Sequence, residues 1–223
     1  MKELFKFLKE LRDNNDREWF QANKERYDVL HKEHIVMVQE LIGRIGAFDS
    51  EIAGLEAKNC IYRIYRDIRF SNDKTPYKTH FGAYMTGFGG RTSPYAGYYL
   101  HLEPGNSLVS GGVWCPDPKM LKQLRQDIYN SMDEFIAILD NKDFKRLYGG
   151  LEGEMLKRMP EGFAKDCPHE EVLRHKYYVV SSMKSDSFFD KDGWMDEVVN
   201  NFKVLQPFNT FLNYTMGEFF GKQ

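Results

Sequence analysis

Residues Gly97 to Trp114 constrain the fold more than any other segment. Tyr98, Leu100 and Leu102 alternate with Tyr99, His101 and Glu103, the period-2 pattern of a half-buried strand. Pro104-Gly105-Asn106-Ser107 has the composition of a hairpin turn, and Leu108 to Trp114 reads as the returning partner. His80 to Thr86 predicts a strand before them, followed by a Gly87-Phe88-Gly89-Gly90 loop, and Lys176 to Met183 predicts another strand after them. The Lys176 strand is a separate expectation; the strands between about 60 and 114, with the Arg63 stretch read as the first of them, predict an antiparallel meander. Gly111-Gly112 lies inside it, where paired glycines mark a bulge or a close approach to the backbone.

Helices are expected on either side. Leu4, Phe5, Leu8 and Leu11 make one face of a short helix that ends at Asn14-Asn15. Asn15 and Glu18 then read as a capping box, opening a long helix from Asp16 to about Arg44. Phe20, Tyr27, His34 and Leu41 recur along its stripe. Asp117 is a good N-cap and Pro118 suits the first turn of a helix that keeps its period to about Asp140. Asn141 to Gly162 has mixed character, and Pro168 to Arg174 suits a short helix. A last helix starts at Trp194, and Pro207 is expected to kink or break it. The expected fold class is α+β: one domain over residues 1–223, with a sheet core at about 60–114 covered by these helices.

The formal charge of −2 argues against a general affinity for nucleic acid or anionic membrane. Any anion affinity must then be local. Cys60, Cys115 and Cys167 have neither zinc spacing nor an even disulfide count. His31 and His34 form H-x-x-H, whereas helical metal pairs usually use i, i+4. Asp190-Lys191-Asp192-Gly193 lacks the remaining ligands of a calcium loop. No metal and no cofactor is expected. Charges interrupt the apolar pattern at the N-terminus, and no run approaches a membrane span, so a cytoplasmic protein is expected.

The densest chemistry lies between Arg63 and Lys78. Arg63, Arg66, Arg69, Lys74 and Lys78 are interleaved there with Asp67, Asp73 and aromatic residues. The period is ambiguous. Ile61, Ile64 and Ile68 suit a helix stripe, but the β-branched and aromatic content favours a strand. As a strand it would place Arg63, Asp67 and Arg69 on one face and Arg66 on the other.

At these residues the chain resembles a known family. Asn14-Asn15-Asp16-Arg17-Glu18-Trp19-Phe20, the run from Arg63 to Thr79, Tyr98 to Gly105, Gly111-Gly112 with Pro116-Asp117-Pro118, and Gly149 to Glu154 are similar to segments of the bacterial and fungal domain-of-unknown-function family 2461. Where that family commonly has Tyr or Met after the glycine pair, this chain has Val113-Trp114. The resemblance implies a single domain and points to the same charged stretch. It brings no reaction with it.

Three readings of the stretch follow. In the first, Arg63, Arg66, Arg69, Asp73, Lys74, Tyr77, Lys78 and Tyr99 hold a small molecule bearing phosphate or carboxylate. Asp67 or His101 would then be the catalytic acid or base, with nearby cations keeping Asp67 ionised. In the second, the sheet face is a non-catalytic platform for nucleic acid or a protein; its Tyr and Arg content fits stacking, but the net charge disfavours nucleic acid. In the third, the charges satisfy one another in a structural ion-pair network.

Overall fold

The computed structural model describes residues 1–221 apart from Phe88 and Lys165. Phe88, in the expected Gly87–Gly90 loop, therefore lies outside the described residues. The fold is α+β. Its sheet has four strands, β1 Phe81–Met85, β2 Gly97–Leu102, β3 Ser107–Val113 and β4 Tyr178–Lys184, in the order β1-β2-β3-β4 with every neighbour antiparallel. The β1-β2-β3 part of the meander is as expected, but the stretch before it, expected as its first strand, is not in the sheet. The fourth strand extends the sheet well beyond the sequence-predicted core at 60–114.

Alternation decides the two faces. Phe81, Ala83, Met85, Tyr98, Leu100, Leu102, Val109 and Val180 are buried on one side. Two long helices close this side: α3 (Lys24–Gly46) and α9 (Trp194–Phe220). Gly111 permits the close approach of α9, because a Cβ there would overlap the Leu205 side chain. Two amides fix the helix against the sheet: Asn209 Nδ2 donates to Gly97 O at 3.0 Å, and Asn213 both accepts from Ala96 N (2.8 Å) and donates to Ala96 O (3.1 Å). Helix α9 runs through Pro207 without ending there. Pro207 and Lys203, whose carbonyl loses its usual partner, are both exposed, so water can serve that carbonyl.

The N-terminal part corrects two expectations. Helix α1 (Lys2–Asp13) is the expected short helix, but α2 (Arg17–Ala22) and α3 (Lys24–Gly46) replace the single long one. The break falls at Asn23, whose side chain bonds back to Trp19 O at 3.0 Å, the local competition with helical bonding that Asn favours. The cap of α2 is Asp16, not Asn15: Asp16 Oδ1 accepts from Trp19 N at 2.8 Å. Asn15 is released for a long-range task. Its amide donates to Tyr77 O (3.0 Å) and accepts from Tyr77 N (3.1 Å).

The segment after α4 (Ala57–Cys60) is not a strand. It touches the sheet at one bridge, Ile61 to Ala83, and folds on itself through Tyr65 and Tyr77. Arg66 N donates to Pro76 O at 2.9 Å and Lys78 N to Ile64 O at 2.8 Å. Ile61, Ile64 and Tyr77 are buried, while the tip carries Phe70 at 96% exposure. Only three inward anchors are needed to seat such a loop, which explains why its apolar pattern fits neither period. Further along, the expected Pro118 helix is divided at Ser131 into α5 (Pro118–Asn130) and α6 (Met132–Leu139), with Asp117 capping the first as predicted. The mixed segment contains α7 (Lys142–Tyr148), capped by Asn141, and α8 (Glu170–Arg174) follows. No helix among the described residues is long and apolar enough to cross a membrane.

Candidate functional site

The second face of the sheet is not covered by a helix layer. By alternation it carries Gly82 and Tyr84 from β1, Tyr99 and His101 from β2, Leu108, Ser110 and Gly112 from β3, and Val179 and Ser181 from β4. The register sets Tyr84 beside Tyr99, Tyr99 beside Ser110, and Ser110 beside Ser181. Above this floor lies a cavity of about 620 Å³. Tyr62, Arg91, Ser93 and Pro94 wall one side, and Trp114, Glu152, Gly153 and Tyr177 the other.

Local bonding holds the floor rigid. Tyr84 Oη donates within reach of Tyr95 O (2.7 Å) and Gly112 O (3.0 Å). Ser110 Oγ donates to Val180 O at 2.8 Å, and Ser181 Oγ donates to Ser110 Oγ at 3.2 Å. Gly112 has φ +108°, and a Cβ there would overlap the Tyr178 carbonyl oxygen. Trp114, 66% exposed, packs its indole 4.4 Å from the Tyr177 ring. Gly153 (φ +98°) gives the Tyr177 ring room to lie against the backbone.

A hydrogen-bonded row leads away from the cavity along β2. Tyr99 Oη lies 2.8 Å from His101 Nδ1, and His101 Nε2 lies 3.1 Å from Glu103 Oε2. Glu103 also accepts from Thr79 Oγ1 (2.6 Å) and Asn106 Nδ2 (2.9 Å). Burial works against its charge, but these three partners outweigh it and bring the Glu103 carboxyl down to about 2. Burial pushes the Tyr99 phenol up and leaves it a proton donor at neutral pH. The His80 ring lies 4.2 Å from the His101 ring, and burial lowers its pKa to about 4.

The charged stretch divides into two parts. Arg66 Nη1 binds the Asp73 carboxylate and Thr75, whose carbonyl lies at 3.2 Å. Arg69 pairs with Asp67 through two bonds of 2.9 and 2.7 Å. The Arg69 hydrogen bonds take Asp67 down to about 2; Thr75 N–H and then Arg66 do the same for Asp73. Lys74 Nζ donates to Ile68 O at 3.0 Å, and Tyr77 is buried with its ring stacked 4.0 Å from Phe20. None of these residues lines the cavity. Arg63 and Lys78, at the two ends, do not line it either, but Lys78 borders a residue that does. Lys78 Nζ sits 5.2 Å from the centre of the Tyr62 ring, which walls the cavity. Burial, then the nearby Arg63, lowers the Lys78 pKa. Arg91 donates to the carbonyls of Lys58 and Asn59, both at 3.2 Å. Among the described residues, no carboxylate pairs with Arg63, Lys78 or Arg91 within 4 Å.

Sequence reasoning placed Tyr99 and His101 on this face. It missed Tyr84, Ser110 and Ser181 as lining, although strand alternation carries that signal. Arg91 and Glu152 come from loops, where no periodicity reports direction.

A family model described as conserved hypothetical protein (DUF2461) matches residues 3–211. The chain belongs to this family. The match takes in every strand of the DUF2461 chain, the cavity above its open face and the Tyr99–Glu103 row. No curated protein and no solved structure shows a significant match to the chain.

Proposed function

We propose a cytoplasmic protein that binds a small molecule bearing phosphate or carboxylate in the open-face cavity. The observation that carries this reading is the pairing of an aromatic cavity of about 620 Å³ with cations at its Tyr62 side that have no carboxylate partner. That volume suits a metabolite-sized ligand. Tyr62, Tyr84, Tyr99, Trp114 and Tyr177 offer ring faces to the body of the ligand, and Lys78, Arg63 and Arg91 offer charge to its anionic end. The sequence-predicted site is thereby narrowed. Arg63 and Lys78 keep a ligand role, whereas Arg66, Asp73, Lys74 and Tyr77 hold the loop that carries them, and Arg69 and Asp67 pair with each other on its exposed tip. Tyr99 lines the cavity and its hydroxyl meets His101, so these two are the groups from which any reaction would draw. The reading treats residues 1–223 as one domain, supported by a single cluster of buried side chains.

Both side walls argue for a small ligand over a nucleic-acid strand. They bound the face, and Glu152 adds a negative charge to one of them. A thermal-shift panel of inorganic phosphate, nucleotides, sugar phosphates, dicarboxylates and short oligonucleotides tests the reading. One class of small anion should raise the melting temperature of wild type, and Lys78→Ala should remove the rise. Stabilisation by oligonucleotides alone, collapsing with salt, would replace this reading with a nucleic-acid module.

A further inference from the structure

We propose that His80, His101 and Glu103 form a binding site for a divalent first-row transition ion at the end of the open face. The inference stands on these three side chains and their neighbours, independently of the small-anion reading.

Strand geometry brings the three together. His101 and Glu103 are two apart on β2 and its extension, so they share the open face. The pairing of Phe81 with Leu102, continued by one residue, sets His80 opposite Glu103, on the same face as Gly82. Gly82 stands opposite His101, and the Tyr99 hydroxyl that bonds His101 takes the space a Cβ there would need. One ligand atom from each of His80, His101 and Glu103 can be chosen so that all lie within 4.8 Å of one another. Bonds of about 2.0–2.2 Å to one ion set neighbouring donors about 3 to 3.5 Å apart. His101 Nε2 and Glu103 Oε2, at 3.1 Å, already have that spacing.

The surroundings are those of held ligands. Tyr99 Oη sits on the far ring nitrogen of His101, and Thr79 and Asn106 fix the Glu103 carboxylate. Such outer partners orient metal ligands and set the His tautomer. Without an ion, a neutral His101 keeps its proton on Nε2 toward Glu103 and accepts from Tyr99. With an ion on Nε2, that one ring proton resides on Nδ1, and Tyr99 Oη accepts it. The side chains of His101 and Glu103 are 12% and 21% exposed, enough for an ion to enter and little enough to hold the ligands in place. Two imidazoles and one carboxylate suit zinc or ferrous iron better than magnesium or calcium. Three protein donors leave coordination positions for water or a ligand atom. Tyr99 lines the cavity, so the ion would lie at the cavity's end.

The test uses the full chain, stripped with a chelator and titrated with Zn²⁺ by calorimetry and with Co²⁺ by visible absorption. The expected result is one tight equivalent per chain, with the d–d bands of nitrogen- and oxygen-ligated Co²⁺. In His80→Ala and Glu103→Gln, affinity should fall at least tenfold. His31→Ala, which alters the helical H-x-x-H pair, should leave binding unchanged. Circular dichroism and melting temperature establish that each variant is folded. If His80→Ala does not fold, Glu103→Gln decides, because its amide oxygen can still accept from Thr79. Absence of a tight equivalent in wild type, or undiminished binding in a folded Glu103→Gln, would overturn the proposal. So would loss of binding in folded His31→Ala.

Discussion

His34 should make this protein sensitive to mild acid. It lies on the buried stripe of α3, 3% exposed, with its ring 5.1 Å from Phe81. The Gly82 backbone lies beside the ring, yet neither ring nitrogen meets a partner at hydrogen-bonding geometry. Burial therefore disfavours the imidazolium and lowers the pKa to about 4. An unfolded His titrates near 6.5, so below that pH the unfolded chain takes up a proton that the folded chain refuses. Stability from this group is complete above about pH 6.5 and is lost progressively as pH falls to about 4. At pH 5 the loss from one such site is about 2 kcal/mol, against about 0.2 kcal/mol at pH 7. His34→Leu removes the titration and two unpartnered nitrogens while keeping much of the volume. Urea denaturation followed by tryptophan fluorescence at pH 7 and pH 5 measures the effect. The variant should lose about 2 kcal/mol less than wild type between the two pH values. An equal loss in both proteins would refute the argument.

Three further substitutions test the packing. Asn15→Ala removes both bonds to the Tyr77 backbone and should cost about 1–3 kcal/mol in the same urea assay; Asn15→Asp, which keeps only the acceptor, should fall between. Gly112→Ala places a methyl group on the Tyr178 carbonyl at a positive φ and should cost at least about 3 kcal/mol, read as a fall in urea midpoint. Arg69→Ala should leave the melting temperature unchanged, because the Asp67–Arg69 pair is solvent-exposed. A large drop would show that the tip of the loop supports the core.

How far the fold could be read depends on where side chains point. In β2, the alternation of Tyr98, Leu100 and Leu102 with Tyr99, His101 and Glu103 reports burial on one face and openness on the other, and the structure has both. Asp117 and Pro118 mark a helix start because capping is local. The stretch from Ile61 to Lys78 misleads for a physical reason. Ile61, Ile64 and Tyr77 are anchors for a loop, and its order comes from contacts with residues distant in sequence, Asn15 and Phe20 among them. Asn15 itself reads as a cap, since Asn caps helices and brackets backbone with the same amide. The site was legible in Tyr99 and His101, which follow the strand period. It was less so in the charges, because composition cannot distinguish Arg69, paired with Asp67, from Lys78, poised over Tyr62. His80 and Glu103 are 23 residues apart, so their meeting depends on the β1–β2 register.

In the proposed function the open face of the sheet receives a small anionic ligand. Two-dimensional amide NMR, titrating the whole chain with the small anion that most raises its melting temperature, tests this most directly. Shifts should concentrate at Tyr62, Lys78, Tyr99, Ser110 and Ser181, and Lys78→Ala should weaken them without spreading changes through the core. Shifts confined to the Asp67–Lys74 tip or to the helical side of the sheet, or no saturable shifts at all, would contradict the account.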